Sequence, residues 1–281
     1  MKKNYLLGIL ATIMLAGCSS AKTAESTSAS VDTSAVESKA DETTTAASEN
    51  KTTFTVGFDQ DFPPMGFVGD YGEFTGFDLE LAAEAAKRMG KEIKYQPISW
   101  DAKDMELTSG NIDCIWNGFS IQGREDKYTW SKPYMKNDQV FVVKSDSSID
   151  SIEDLAGKTV EVQTDSSAEA ALKENTELAN TFCKLQTVAD YNTGFMDLEM
   201  GGVDAIAMDS VVANYQITKR GGNGFTVLDT PLSSEEYGVG FKLGNETLKN
   251  EVQKALEDMK ADGTMKTISE KWFGKDVTTL E

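Results

Sequence analysis

The sequence predicts an α/β fold made of two similar lobes. Predicted strands alternate with helices from about residue 53 onward, which is typical of layers with parallel strands. About 40% of the 281 residues are hydrophobic, enough for a packed core. A nine-residue pattern also occurs twice, at 107–115 and at 198–206, with Leu, Gly, a β-branched residue, Asp and Ile at the same offsets. This repeat, each time at a helix-to-strand turn, indicates two lobes of similar construction.

The first series of elements begins with an alternating apolar pattern from Phe54 to Phe58, which predicts a strand. Asp78 is predicted to cap a helix whose apolar residues recur at helical spacing until Gly90. The remaining elements of this series are a strand near 93–95, a helix over about 101–109 and a strand over 112–116.

A second series follows the same order. Ser166 and Glu169 have the spacing of a capping box and predict a helix start after a strand at 160–163. A helix over about 192–200 and a strand over 203–208 come next. The tail holds a helix that Asn245 caps and Gly263 ends, and its apolar face needs a partner elsewhere in the fold.

Composition excludes several function classes. Lys and Arg number 27 against 46 Asp and Glu, a formal net charge of -19, so phosphate neutralisation of a nucleic acid is excluded. The chain has no histidine, which excludes Ser–His and Cys–His nucleophile pairs and most transition-metal sites. We expect no metal and no cofactor, although catalytic carboxylate pairs remain formally possible.

The N-terminus has the pattern of an export signal. Lys2 and Lys3 precede an apolar run over 5–16, too short to span a membrane, which predicts a signal peptide over 1–17. The run ends in Leu-Ala-Gly-Cys, which resembles the bacterial lipobox, and this implies a lipidated Cys18. The alternative is an ordinary signal peptide with a chance cysteine.

The segment 18–52 contains mostly Ser, Thr, Ala and acidic residues and no aromatic residue. Such a segment cannot bury enough apolar surface to offset its conformational entropy, so it is predicted to be a disordered tether. A glycosylated stalk has a similar composition, and this alternative stays open.

Seven stretches together resemble one family. They are VGFD at 56–59, FPPM at 62–65, TGFDLELA at 75–82, IDCIWNGFS at 112–120, YTWSKPY at 128–134, DLAGK at 154–158 and MKADGT at 259–264. In this order the chain from about 53 to 275 is similar to the polar amino-acid family of bacterial extracellular solute-binding proteins, the receptors of ABC importers. Each stretch alone is a weak signal, and their colinear order is a strong one.

The resemblance implies a two-lobed, type II periplasmic-binding-protein-like fold with two hinge crossings. Lobe 1 is expected over 53–140 plus 238–281, and lobe 2 over 141–237. Cys114 and Cys183 then lie in different lobes and are expected to stay reduced, because a disulfide between them would lock the hinge. The protein is expected to be a monomer.

The resemblance also implies roles for residues that bind the amino-acid backbone. Arg124 offers a planar fork to the ligand carboxylate, with N–H groups near Ser120 and Ser167. Asp209 is expected at the ammonium, together with the carbonyl of Gly118 and the hydroxyl of Ser120. A solvated arginine and a simple helix cap are the alternatives for Arg124 and Asp209. Many relatives have this arginine one residue later, so the loop geometry differs here.

For the ligand side chain, the resemblance implies walls from Phe62 and Trp100 and an acidic residue, Asp59, near its far end. Neutral polar groups are expected along the cleft: Asn117, Gln163 and Ser167. An acidic ligand is disfavoured, because Asp59 would repel it. The ligand is therefore predicted to be a polar neutral, cystine-like or cationic L-amino acid.

The predicted function is capture of an L-amino acid by hinge closure, followed by delivery to an ABC permease. The protein is predicted to be extracytoplasmic and lipid-anchored at the cell membrane of a Gram-positive bacterium, or on the periplasmic face if there are two membranes. It is not predicted to be an enzyme. Two alternatives remain: a dehydratase or lyase on the same fold, using Asp59 or Asp209, and a tethered sensor or adhesin that binds a partner protein.

Overall fold

The computed structural model describes residues 52–281. The predicted signal peptide, Cys18 and the predicted tether up to residue 51 lie outside this range. Within it, no helix combines the length and the apolar character that a membrane span requires.

The described chain contains fourteen strands and eight α-helices. The strands are β1 (Thr53–Phe58), β2 (Asp61–Phe62), β3 (Gly66–Val68), β4 (Phe74–Thr75), β5 (Glu92–Pro97), β6 (Cys114–Ile115), β7 (Tyr128–Trp130), β8 (Met135–Lys144), β9 (Thr159–Gln163), β10 (Lys184–Val188), β11 (Ala205–Asp209), β12 (Phe225–Val227), β13 (Ser233–Tyr237) and β14 (Gly240–Lys242). The helices are α1 (Phe77–Arg88), α2 (Lys103–Ser109), α3 (Ser167–Glu174), α4 (Thr176–Ala179), α5 (Tyr191–Met200), α6 (Ser210–Lys219), α7 (Glu246–Asp262) and α8 (Thr264–Phe273).

Two large sheets organise the fold. The first has the order β5-β1-β6-β14-β7, with β1 parallel to β5 and β6. The second has the order β10-β9-β11-β8-β12, with β9 parallel to β10 and β11 and with β13 also paired to β8. Strands β2, β3 and β4 form a small third sheet. This architecture confirms the predicted two-lobed α/β fold.

The chain passes between the two large sheets twice, once between β7 and β8 and once between β13 and β14. The second passage lies at the predicted change of lobe near 237. The first lies at 131–134, earlier than the expected change at 140, because β8 pairs with β11 and β13 of the second sheet along its length. Apolar periodicity does not reveal this passage, since both sides of it are buried strands.

The tail helices lie against the beginning of the fold. Apolar residues of α7 and α8 share one buried core with those of α1 and β1. The rings of Phe77 in α1 and Phe273 in α8 meet edge to face at 5.0 Å between centroids. The apolar face of the tail, which was predicted to need a partner elsewhere in the fold, therefore packs against α1, the first helix of the first lobe.

The repeated sequence pattern forms the same local structure in both lobes. Two glycines end α2 and α5 in the left-handed region: Gly110 (φ 80°) and Gly201 (φ 75°). After the turn, the carboxylate of Asp113 accepts the N–H of Thr55 at 2.7 Å, and Asp204 accepts the N–H of Thr159 at 2.8 Å. In each lobe the repeated aspartate thus accepts a backbone N–H of a parallel strand, from the third residue of β1 and the first of β9, which confirms the internal similarity.

The predicted cap of α1 by Asp78 is wrong. The helix begins at Phe77, and its cap residue is Gly76, which has no side chain that could accept a capping hydrogen bond. The N–H groups of Phe77 and Asp78 instead donate to the carbonyls of Pro64 and Met65, at 2.8 and 2.9 Å. Because this loop already satisfies the helix start, the side chain of Asp78 is free to turn into the interior.

Another local prediction is confirmed. Ser166 caps α3 by accepting the N–H of Glu169 at 3.1 Å. Cys114 is buried in the first sheet and Cys183 is exposed before β10, and both are free thiols.

Candidate functional site

A cavity lies where the carboxyl ends of parallel strands from both sheets meet, the usual binding position in α/β folds. Its lining residues are Phe62, Trp100, Asn117, Gly118, Gln163, Ser166, Ser167 and Asp209. All of these except Ser166 belong to the ten residues that the sequence analysis selected. Of the other three selected residues, Asp59 and Arg124 are hydrogen-bonded to the lining residues Gln163 and Ser167, and the carbonyl of Ser120 accepts from Arg124.

Arg124 is a buried side chain, with 7% of its surface exposed. Its guanidinium donates to Ser167 Oγ at 2.8 Å, to the carbonyl of Asp165 at 3.2 Å and to that of Ser120 at 3.4 Å. It also lies 5.3 Å from the ring centroid of Phe119. These acceptors are all uncharged. The arrangement differs from the alternative of a solvated surface arginine and leaves a fixed cation beside the cavity.

The N-terminus of α3 contributes to the same end of the cavity. Ser166, its cap, and Ser167, its first residue, both line the space. The first N–H groups of a helix have no partner within the helix, and its dipole favours an anion there. Sequence reasoning identified Ser166 only as a cap, although the capping box already marks a helix start next to Ser167.

Asp209 ends β11 and precedes α6, the position of a helix cap, but its side chain makes no capping hydrogen bond. Its Oδ1 instead accepts from the hydroxyl of Tyr237 at 2.6 Å and from the amides of Asn137 and Gln139, both at 2.9 Å. The side chain therefore belongs to a buried polar cluster and does not act as the simple cap considered above.

Glu235 is a member of this cluster that sequence reasoning missed. It is buried, and its Oε1 accepts from Asn137 at 2.7 Å and from Gln139 at 2.8 Å. Burial, followed by the nearby Glu235, raises the pKa of Asp209 to about 8. In the sequence, Ser-Ser-Glu-Glu before Tyr237 is typical of an exposed strand, and the pairing of β13 with β8 places Glu235 opposite Asn137.

Asp59 follows β1 and is also buried. Its carboxylate accepts from Gln163 Nε2 at 2.7 Å and from the N–H of Asp61 at 2.9 Å. Its own N–H donates to Asn117 Oδ1 at 3.0 Å. Burial raises the pKa of Asp59 to about 6. Since Gln163 belongs to the second sheet, this carboxylate also bridges the two sides of the cavity.

A second, more open cavity continues beyond Asp59 and Trp100. Three carboxylates line it, those of Asp59, Asp61 and Asp190, and its lining includes no lysine or arginine. Burial, and then the charge of Asp190, raise the pKa of Asp61. This end of the site is therefore acidic and complements a cation.

The floor of the first cavity depends on Gly118 and on Asp78 behind it. Gly118 has φ 57°, and a Cβ there would lie 2.9 Å from the ring of Phe62. Its N–H donates to Asp78 at 2.6 Å, and Asp78 also accepts from the hydroxyl of Tyr134 at 2.8 Å. Burial raises the pKa of Asp78 to about 7. A glycine is thus required here, and Asp78 fixes the loop that carries Asn117 and Gly118.

Both residues that were predicted to form aromatic walls line the cavity. Phe62 lines the cavity and lies 6.1 Å, between centroids, from Tyr191 of α5. Trp100 also lines it and meets Phe119 edge to face at 5.5 Å between centroids. Within residues 52–281 there is no group of His, Cys, Asp or Glu side chains arranged to hold a metal ion.

Comparison with known proteins gives consistent results. The model of the bacterial extracellular solute-binding proteins, family 3, matches residues 54–275. The L-cystine-binding protein TcyJ of Escherichia coli K12 is 34% identical over 279 residues, covering 98% of this chain and 97% of its own. The L-cystine-binding protein TcyA of Bacillus subtilis is 32% identical over 237 residues, covering 83% and 85%.

Among solved structures, an ABC uptake transporter substrate-binding protein from Streptococcus pneumoniae with bound histidine is 38% identical. It superposes with a TM-score of 0.79 and covers 81% of this chain and 95% of its own. The family model spans nearly all of the described fold, and the cystine-binding relatives match most of the chain. The chain therefore belongs to family 3 of the bacterial extracellular solute-binding proteins.

Proposed function

We propose that this protein binds an L-amino acid in the cavity between its two sheets and delivers it to an ABC importer in the membrane. The observation that carries the proposal is the pairing of charges at one cavity. A buried guanidinium with only uncharged partners lies on one side and a buried carboxyl group on the other. An amino-acid zwitterion has the complementary charges. The names of the relatives, which bind cystine, and of the histidine-bound structure support this reading.

The ligand carboxylate is assigned to Arg124 and to the N-terminus of α3. A guanidinium donates two parallel hydrogen bonds to a carboxylate, which gives strength and orientation. The guanidinium of Arg124 now donates to the hydroxyl of Ser167, a residue that lines the cavity. The same N–H group can therefore donate to a ligand carboxylate instead. The first N–H groups of α3, together with the hydroxyls of Ser166 and Ser167, complete the anion subsite.

The ligand ammonium is assigned to Asp209, with the carbonyl of Gly118 and the hydroxyl of Ser120 as further acceptors. Three acceptors match the three donors of an ammonium group. The flat walls of Phe62 and Trp100 then enclose the start of the ligand side chain.

The far end of the ligand is assigned to the acidic side of the cavity. Asp59, Asn117 and Gln163 provide hydrogen-bonding groups, and Asp61 and Asp190 add negative charge beyond them. This arrangement suits a polar neutral side chain and is better suited to a second ammonium, as in L-cystine, or to a cationic side chain. A carboxylate alone at this position would be repelled.

Capture works by closure of two lobes, one around each large sheet. We assign lobe 1 to 53–134 plus 238–281 and lobe 2 to 135–237, which moves the expected first boundary from 140 to the chain passage at 131–134. A ligand that contacts both lobes favours the closed form by its differential affinity, and this difference drives the motion. The permease then receives the closed, loaded protein.

Family membership gives an extracytoplasmic location. We further propose that residues 1–17 are removed as a signal peptide, that Cys18 is lipidated, and that 18–52 is a disordered tether on a monomer at a Gram-positive cell membrane. Two acyl chains anchor a protein stably where one gives only marginal binding. Incorporation of labelled palmitate into the protein, and its loss in Cys18→Ser, tests this proposal. Equal labelling of the two proteins would contradict it.

A thermal-shift panel of the twenty L-amino acids and L-cystine on the Cys18→Ser protein tests the binding function. Ligand at a thousand times its dissociation constant adds about 4 kcal/mol, which raises the midpoint by roughly 8 to 16 °C for a body of this size. A shift confined to one chemical group of amino acids identifies the ligand. No shift with any of them would refute amino-acid binding and favour the partner-binding alternative.

We propose no catalytic activity, because the named relatives are binding proteins. The bound amino acid is expected to be recovered unchanged after prolonged incubation, as measured by mass spectrometry. Conversion of the ligand that is lost in Asp209→Asn would establish the enzyme alternative instead.

A further inference from the structure

An ion pair joins the two sides of the cleft outside the cavity. Lys103 is the first residue of α2, beside the first sheet, and Asp165 lies between β9 and α3 of the second. The ammonium of Lys103 donates to the carboxylate of Asp165 and, at 3.3 Å, to its carbonyl. Neither residue is among those that line the cavity. The pair therefore connects the lobes without belonging to the ligand site.

Contacts within its own lobe already bury and orient the side chain of Lys103. Its side chain is only 1% exposed, and its ammonium lies 5.0 Å from the ring centroid of Trp100 and donates to the carbonyl of Trp100 at 3.2 Å. Burial lowers the pKa of Lys103, and the charge of Asp165 opposes this effect. Because Trp100 belongs to the same lobe, part of the desolvation of Lys103 precedes closure. The attraction to Asp165 is then gained on closing.

Asp165 presents both of its acceptors across the cleft. Its φ is 57°, and in residues 52–281 it is the one non-glycine residue with a positive φ. Its N–H is held by the carboxylate of Glu169 at 2.8 Å, which fixes the turn. Its carbonyl accepts from Lys103 and, at 3.2 Å, from Arg124. When Arg124 donates to a ligand, Lys103 can still donate to the carbonyl of Asp165. The loop at Asp165, and Ser166 and Ser167 after it, therefore stay in position.

We propose that Lys103 and Asp165 form a latch that stabilises the closed form before any ligand is bound, and so raises the affinity for every ligand by the same factor. The apparent dissociation constant equals the intrinsic one divided by the fraction of protein in the binding-competent form. A contact that exists only in the closed form changes that fraction without contacting ligand. Lys103 is thus a positioning residue, and the effect on affinity rests on the proposed amino-acid-binding function.

Two variants remove the latch with little disturbance. Lys103→Met keeps most of the length of the unbranched side chain, which can still pack against Trp100. Asp165→Asn keeps a residue that tolerates the left-handed region and removes only the charge. The matched control is Lys91→Met, which removes an ion pair with Glu251 (2.9 Å) on α7, within one lobe.

The first measurement needs no ligand. Single-molecule energy transfer reports the closed fraction of the full chain, with Cys18→Ser and dyes on the exposed Cys183 and on Lys87→Cys in α1. Cys114 is buried and stays unlabelled. We expect the closed fraction to fall about tenfold in Lys103→Met and to fall in Asp165→Asn, with no change in Lys91→Met. A closed fraction equal to that of the unsubstituted protein would overturn the latch.

The second measurement is calorimetric titration with L-cystine, L-histidine, L-arginine and L-glutamine. Each ligand that binds the unsubstituted protein should bind Lys103→Met about tenfold more weakly, by one common factor. Unequal factors would mean that Lys103 contacts the ligand, which overturns the proposal. If none of the four binds the unsubstituted protein, amino-acid binding fails for them, and the energy-transfer result still decides the latch.

Discussion

Asp209 and Glu235 accept hydrogen bonds from the same two amide groups, those of Asn137 and Gln139, at 2.7 to 2.9 Å. The remaining donor to the pair is the hydroxyl of Tyr237, so all of these donors are neutral. Burial, followed by the nearby Glu235, raises the pKa of Asp209 to about 8, so Asp209 holds a proton at pH 7 while no ligand is bound. A ligand ammonium favours the charged form of a carboxyl group, so binding is expected to release this proton from Asp209.

This coupling predicts unequal effects of two conservative variants. Glu235→Gln removes a neighbouring carboxyl group that, after burial, raises the pKa of Asp209, so it should not weaken binding by more than about threefold at pH 7. Asp209→Asn should lose roughly 10- to 100-fold, because it removes the charged contact with the ammonium. Calorimetry at pH 7, with the amino acid that gives the largest thermal shift, measures both. A tenfold loss in Glu235→Gln would show that Glu235 itself contributes to binding of the ammonium group.

Arg124→Ala is predicted to abolish ligand binding while the fold is retained. The guanidinium is the one cation assigned to the ligand carboxylate, and its bidentate contact is not replaced by any other side chain of the proposed site. Arg124→Lys should bind at least about tenfold more weakly, since an ammonium has no planar fork. Circular dichroism checks the fold, and calorimetry checks binding. Micromolar affinity in Arg124→Ala would remove the assigned role.

The sequence is informative where a local pattern determines the structure. The capping box at Ser166 and Glu169 and the two repeated helix-to-strand turns depend on residues within a few positions of one another. The buried cluster around Asp209 is different, because Glu235 and Gln139 meet only through the pairing of β8 with β13 and β11. The periodicity of a single sequence does not indicate which strands pair, so it does not predict that these polar side chains lie together.

Asp78 is a second residue whose role a single sequence does not reveal, here because its local pattern predicts a different role. An aspartate at the start of a helical pattern predicts a cap, and capping is the more frequent role. The carbonyls of Pro64 and Met65 already satisfy the helix start, and they lie in a loop that local propensity does not connect to α1. The side chain then holds Gly118, so an apparent capping residue positions the floor of the cavity.

Asp59 is predicted to distinguish ligands by the charge at their far end. Asp59→Asn should weaken binding of L-arginine or L-cystine by about tenfold or more and leave a neutral ligand such as L-glutamine within about twofold. The pKa of Asp59 is about 6, so binding of a cationic ligand should weaken as the pH falls through 6, where the carboxylate is protonated. Titrations between pH 5 and 8 measure both effects. Equal losses for cationic and neutral ligands would contradict this role.

Asp78 is predicted to make the fold less stable as the pH rises. Its pKa is about 7 in the folded protein and about 3.9 in an unfolded chain. Between these values the folded state holds a proton that the unfolded state has lost, so the free energy of unfolding falls with increasing pH and levels off above 7. One such group contributes a slope of about 1.4 kcal/mol per pH unit at most.

Asp78→Asn removes this titration and should make the free energy of unfolding less dependent on pH between 5 and 7. Urea denaturation at pH 5, 6, 7 and 8 measures the slope, and Asp70→Asn, at an exposed position, is the control. Asp59 and Asp209 also have raised pKa values, so a smaller slope should remain in Asp78→Asn. An unchanged slope in Asp78→Asn would mean that Asp78 is already ionised in the folded protein, held by the Gly118 N–H and the Tyr134 hydroxyl.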